Sequence, residues 1–154
     1  MKIEMLTIEN IDKLIDFERE SRETEPDTFI DEFNADDLKR GTLKALKNPV
    51  YSSARCMMCL NDENRVIGCI DFSVVSSYSF GGNLQVYVDW VYVLKEFRHM
   101  GVGQFLFAQM EEYIKKLGVG EYFLFTAEND EAQKFYRNVE GAEIEKKEVL
   151  SKQL

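Results

Sequence analysis

From Val86 to Gly118 the chain reads as a valine-rich strand, a turn written Arg98-His99-Met100-Gly101-Val102-Gly103, and an amphipathic helix that stops at Gly118. The helix face is formed by Val102, Phe105, Leu106, Met110, Tyr113, Ile114 and Leu117 at spacings of three and four, with Glu111/Lys115 and Glu112/Lys116 as outward pairs. The strand thus feeds the helix through two glycines. This leaves the first N–H groups of the helix and the positive end of its dipole facing whatever lies before them, which suits a phosphate. The glycines let a pyrophosphate approach the backbone, and Arg98 adds a fixed positive charge.

Three phosphate motifs compete for these residues, and spacing separates them. A P-loop ends in Gly-Lys-Ser/Thr, whereas Gly103 is followed by Gln104 and Phe105. A dinucleotide fingerprint has a third glycine where Leu106 stands. What is left is Arg-x-x-Gly-x-Gly. Downstream, Glu121 to Thr126 reads as a strand, followed by Asn129-Asp130-Glu131-Ala132-Gln133-Lys134-Phe135-Tyr136; upstream, Asp89-Trp90-Val91-Tyr92-Val93 runs into Glu96-Phe97-Arg98.

In this order the segments resemble the GNAT superfamily of acetyl-CoA-dependent N-acetyltransferases: its pyrophosphate loop, its Asn-x-x-Ala-x-x-Phe-Tyr segment and its central strand, with Lys95 in place of a frequent proline. The resemblance covers residues 84 to 142 by motif and the N-terminal half by order of elements. It implies an α/β fold of the α+β type, a mixed and mostly antiparallel sheet of about six or seven strands flanked by about four helices. It also implies acetyl-CoA as cosubstrate, bound by the loop residues Arg98, His99, Met100, Gly101, Val102 and Gly103. A splay beside the central strand would align pantetheine on the backbone of Val91 and Val93, with Asn129 as a further contact. Tyr136 would protonate the departing thiolate while Phe135 packs into the core.

The remainder of the chain is compatible with this. At 154 residues and 45% hydrophobic content, residues 1–154 form one domain with a core that needs neither disulfide nor structural metal. No apolar run reaches membrane length, Met1 to Met5 lacks a signal-peptide h-region, and three cysteines fit a reducing compartment, so a cytoplasmic protein is expected. A net charge of −9 with scattered basic residues argues against nucleic acid or an anionic membrane as partner. The same charge could steer cationic acceptors, or serve solubility alone.

Lys2 to Leu6 reads as a first strand, and Asn10 or Thr7 can cap a helix carrying Ile11, Leu14, Ile15 and Phe17. Ala35 to Leu46 reads as a second helix. Between them, Ser21 to Asn34, with Pro26, Phe29, Ile30 and Phe33, is the candidate acceptor loop. Arg55–Leu60 and Arg65–Val75 read as a hairpin around Asn61-Asp62-Glu63-Asn64, and Ser76 to Asn83 as a second flexible connection. A phosphate loop this late in the chain, after antiparallel strands, disfavours a doubly wound nucleotide fold.

Asp89 breaks an otherwise apolar strand, and alternation puts it on one face with Tyr87, Val91 and Val93 unless a bulge intervenes. A carboxylate there must face a polar cleft, find a partner or take up a proton. Some polyamine-acetylating members of the family carry a catalytic glutamate at the corresponding place. Base, acceptor ligand and structural residue all remain open for Asp89. His99 is a backbone donor by its loop position, with a base as the alternative. Cys56 and Cys59 lie in a strand and read as buried thiols, since Cys69 and His99 are the only soft ligands besides them and no metal is expected. The acceptor is a small-molecule or peptide amine, and homodimerisation stays open. The rival readings are a silent acyl-CoA sensor on the same fold and a dinucleotide-dependent enzyme.

Overall fold

The hairpin that opens the sheet shows how closely local chemistry sets the fold. In the computed structural model, which describes residues 1–29, 32–78, 82–127 and 129–153, strand β2 (Ala54–Leu60) turns into β3 (Val66–Ser77). The side chain of Asn61 accepts from the amides of Glu63 and Arg65 at 3.1 and 3.0 Å, while Asn64 takes the positive φ of 66° that the turn needs. On either side, β1 (Lys2–Met5) pairs antiparallel with β2, and β4 (Asn83–Val93) antiparallel with β3. Strand β5 (Tyr122–Leu124) pairs with β4 in parallel, giving the order β1-β2-β3-β4-β5.

The sheet is therefore mixed and mostly antiparallel, but it holds five strands among the described residues rather than six or seven. Two segments account for the difference. The strand expected over Glu121 to Thr126 pairs only from Tyr122 to Leu124. After the last helix the described residues form no further strand, and Ile144, Val149 and Leu150 are exposed there.

Among the described residues the α-helices are α1 (Ile11–Thr24), α2 (Ala35–Leu46), α3 (Val102–Lys116) and α4 (Asp130–Arg137). Leu14 and Phe17 of α1 pack on Met58, Leu60, Cys69, Tyr92 and Leu94, one face of the sheet. Helix α3 covers the opposite face with Val102, Leu106, Phe107, Met110 and Ile114 buried. It comes so close that a Cβ on Gly68 would lie 3.0 Å from Val102 Cγ1 and 3.3 Å from Leu106 Cδ1. Phe107 widens the buried face beyond the expected stripe, and Leu117 is exposed because the helix has ended. Gly118 is the stop: at φ 79° it donates to Lys115 O, and the Val119 amide donates to Ile114 O, a double closure of the last turn.

The expected loop from Ser21 begins later than its polar composition suggests. Helix α1 runs on to Thr24, and Ser21, fully buried, satisfies its hydroxyl within the helix on Phe17 O at 2.8 Å. A single tight turn over Pro26–Thr28 follows. Ile30 and Gly81, which belong to the two expected flexible connections, lie outside the described residues. At the start of α1 neither Asn10 nor Thr7 caps the helix through its side chain: Asn10 Oδ1 accepts from Thr7 N and Thr7 Oγ1 from Glu9 N, both ahead of the first helical residue.

By its internal contacts the chain groups into Met1–Leu124, which contains the whole sheet and α1 to α3, and Phe125–Leu154, which contains α4.

Candidate active site

Within the first unit, chemistry gathers at a bulge in β4. Asp71 of β3 lies opposite Trp90 and Phe72 lies opposite Val88, so Asp89 is the extra residue between them. Simple alternation is thus corrected: the bulge leaves Asp89 with Tyr87, on the face covered by α1, and moves Val91 and Val93 to the face covered by α3. Asp89 is exposed and hydrogen-bonds the Tyr87 phenol, whose pKa is raised first by burial and then by the neighbouring carboxylate.

The bulge also resets which backbone groups face which neighbour. Leu94 N donates to Ile67 O on the β3 side, so alternation turns the amides of Val91 and Val93 to the opposite edge. Pairing with β5 on that edge ends at Val88–Leu124. Beyond it β4 carries backbone donors and acceptors past the end of its parallel neighbour.

The same strand leads through the short turn Lys95–Phe97 into the glycine loop. Gly101 stands at the helix start with φ 82°, and His99 before it has φ 62°. An ideal Cβ on Gly101 meets nothing within 4 Å, so its requirement is conformational and the space before it is open. No side chain caps this helix among the described residues, in contrast to α2, where Asn34 accepts from Asp36 N and Asp37 N. Met100 is 65% exposed at the crest of the loop, and Val102 is buried as the first anchor of α3.

Arg98 is differently placed from a simple phosphate ligand. Its Nε donates to Val93 O at 3.2 Å, its Nη1 to Glu25 Oε1 at 3.0 Å, and its Nη2 to the other oxygen of the same carboxylate. Its guanidinium also lies 5.4 Å from the centre of the Tyr92 ring. The sequence gives no local hint of this ion pair, because Glu25 belongs to the segment after α1.

On the α1 face an aromatic group stands over the bulge. Trp90 stacks on Tyr92 at 5.6 Å and 16°, and Phe29 leans on both at 6.4 and 5.5 Å. The segment expected to meet the acceptor is thereby seated beside Asp89's strand.

In the second unit, Asn129 caps α4 by accepting from Ala132 N at 2.9 Å. Tyr136 and Phe135 are both half-buried, with ring centres 5.6 Å apart in an edge arrangement. Burial raises the Tyr136 pKa, which keeps the phenol protonated and able to donate.

Residues 10–140 match the acetyltransferase (GNAT) family. The chain belongs to the GNAT acetyltransferase family. Several solved acetyltransferase structures are similar to it. One is the aminoglycoside acetyltransferase meta-AAC0020 from an uncultured soil metagenomic sample, in complex with sisomicin, at 19% identity and TM-score 0.78, covering 99% of this chain and 95% of that one. Another is a probable acetyltransferase at 19% identity and TM-score 0.79, covering 100% and 98%. A third is the ribosomal-protein-alanine N-acetyltransferase from Brucella melitensis biovar Abortus 2308, at 14% identity and TM-score 0.73, covering 98% and 99%. At such identities the likeness establishes the fold. No curated protein sequence matches.

Asp71, beside the bulge, has one carboxylate oxygen buried without a hydrogen-bond partner, and burial raises its pKa to about 6, opposed by a hydrogen bond with Cys56 and reinforced by the charges of Glu18 and Asp89. Its setting in Ile70-Asp71-Phe72 looks like any polar position of a half-exposed strand, and only the register reveals the Asp89 bulge opposite. A raised carboxyl pKa makes stability largest below the unfolded value of 3.8 and erodes it as pH rises through about 6. Asp71→Asn removes this slope. Between pH 5 and 8 the variant should gain roughly 1 kcal/mol on the wild type, measured by urea unfolding at each pH. Parallel pH profiles would refute the assignment.

The cysteines are buried and free, as a structural role requires. Cys56 packs with Met58 and Cys69 on the α1 side, whereas Cys59 lies opposite Gly68, the residue that touches α3. Two thiols on opposite faces of one strand cannot share a metal.

Proposed function

We propose that residues 1–154 act as a single cytoplasmic N-acetyltransferase domain that moves an acetyl group from acetyl-CoA to a primary amine by direct attack in a ternary complex. The observation that carries this reading is the uncapped, left-handed Gly101 start of α3 at the end of a strand whose parallel pairing has already stopped. That combination would offer donors to a pyrophosphate and, next to them, a stretch of β4 edge beyond β5 to an extended pantetheine arm. Gly101, Val102 and Gly103 offer their amides to the pyrophosphate, with His99 and Met100 shaping the loop and Arg98 holding it to β4.

The chemistry divides among few groups. A protonated amine cannot attack, so Asp89 takes its proton, directly or through water. The Val91 and Val93 backbone aligns the thioester, and a strand N–H stabilises the charge that grows on its carbonyl oxygen. Tyr136 donates its phenolic proton to the departing sulfur, and Asn129 adds a cofactor contact beyond its capping role. The aromatic group of Phe29, Trp90 and Tyr92, beside an exposed carboxylate, favours a cationic acceptor, a small molecule or a peptide amine. The sisomicin complex of a similar structure makes aminoglycosides one class to try.

Calorimetric titration tests the cofactor assignment: acetyl-CoA should bind, and NAD and ATP should not. Preferential binding of NAD would replace the proposal with a dinucleotide enzyme. Asp89→Asn is expected to spare acetyl-CoA binding and to lower amine-dependent turnover at least about tenfold across the working pH range. Unchanged kinetics would remove Asp89 from the mechanism, even if the melting temperature fell.

A further inference from the structure

Glu25 joins two parts of the molecule that the chemistry above uses separately. Its carboxylate receives two donors from Arg98 and a third from the Tyr92 hydroxyl. Burial alone would raise its pKa, but these partners outweigh burial and bring it below the ordinary carboxylate value, so Glu25 is ionised at neutral pH. Glu25 directly precedes the Pro26–Thr28 turn, and Phe29 after that turn rests on Trp90 and Tyr92. On the other side, Arg98 fixes the end of β4 through Val93 O and begins the glycine loop.

We propose that Glu25 is a positioning residue that makes the 25–29 segment report the state of the acetyl-CoA loop, so that occupying the loop orders the segment placed to meet the acceptor. The proposal rests on the acetyl-CoA reading of that loop. The physical basis is a short, closed chain of contacts: loop to Arg98, Arg98 to Glu25 and Tyr92, Tyr92 to Phe29. Its charged link is shielded, with Arg98 and Glu25 side chains 24% and 15% exposed, where an ion pair with several hydrogen bonds holds geometry better than an exposed one. A ligand that restricts Arg98 therefore restricts the segment as well, and by linkage a segment held by the acceptor favours the bound loop.

Amide hydrogen exchange with and without saturating CoA tests this, using the intact chain and no acceptor. In the wild type, CoA should slow exchange both over 98–103 and over 25–29, the latter by about threefold or more. In Glu25→Gln, CoA should still protect 98–103, while protection of 25–29 is lost. Glu25→Asp, which keeps the charge on a shorter arm, should recover part of it. Tyr92→Phe, which removes one donor to the carboxylate, gives a second variant should Glu25→Gln not fold, and is expected to reduce the 25–29 response. Equal protection of 25–29 in wild type and variants would overturn the coupling while leaving the loop assignment intact. Failure of CoA to bind the wild type would overturn both.

Discussion

Tyr136→Phe is expected to lower turnover roughly 10- to 1000-fold while leaving acetyl-CoA affinity nearly unchanged. The phenol is half-buried, and its raised pKa keeps it neutral at working pH, so its proton is available to a thiolate leaving group. Phenylalanine preserves the ring and its edge contact with Phe135 and removes only the hydroxyl. Water can replace a missing acid in part, which sets the lower end of the range. The measurement is single-turnover kinetics with the acetyl-CoA affinity determined alongside. Full turnover with chemistry rate-limiting would reject Tyr136 as the acid, and a matching loss in affinity would make it a binding residue instead.

The second large effect belongs to Gly101. Gly101→Val should weaken acetyl-CoA by at least about 2 kcal/mol, or roughly 30-fold in Kd, the scale of losing a charge-assisted hydrogen bond. Two causes act together. A side chain is strained at φ 82°, and its Cβ would occupy the open space before the helix, where the pyrophosphate is proposed to lie. Gly118→Val separates strain from blockage. It imposes the same backbone conflict at φ 79° at the far end of the same helix, so it should lower the melting temperature and leave acetyl-CoA affinity alone. Equal affinity in wild type and a folded Gly101→Val variant would move the cofactor site elsewhere.

What could be read from the residues, and what could not, follows from the range of the interactions involved. Helix α3 was legible at both ends because glycines at a start and a stop are local demands, and they appear at Gly101 and Gly118 with the required positive φ. The Asn61 turn and the Ala35–Leu46 helix were equally legible, each resting on capping or turn groups within a few residues. The bulge at Asp89 was visible only as an odd carboxylate in an apolar run, since register depends on the partner strand. Arg98 carried the clearest charge in the motif, yet its partner Glu25 is 73 residues away and no local pattern announces such a pair. Asp71 was silent for the same reason. The count of six or seven strands came from family resemblance, and the described residues after α4 add none to the five of the sheet.

These particulars also separate two meanings of a site residue here. Val91 and Val93 are proposed to act through their backbones, so their side chains can vary as long as the bulge keeps their amides on the open edge. Asp89 and Tyr136 are proposed to act through single functional groups, so their side-chain identity would matter directly. Asn129 has a demonstrated structural duty at the α4 cap, so Asn129→Ala would confound binding with helix stability, and Asn129→Asp or Ser, which can still cap, is the informative substitution.

The most direct test of the central claim is release of free CoA thiol from acetyl-CoA by the purified chain, with and without amines drawn from polyamines, aminoglycosides, amino acids and N-terminal peptides. An N-acetyltransferase releases thiol in proportion to acetylated amine, with at least one acceptor class raising the rate well above hydrolysis and Tyr136→Phe abolishing most of that increase. Tight acetyl-CoA binding with no amine-dependent thiol release across all four classes would contradict catalysis and make the chain an acyl-CoA sensor.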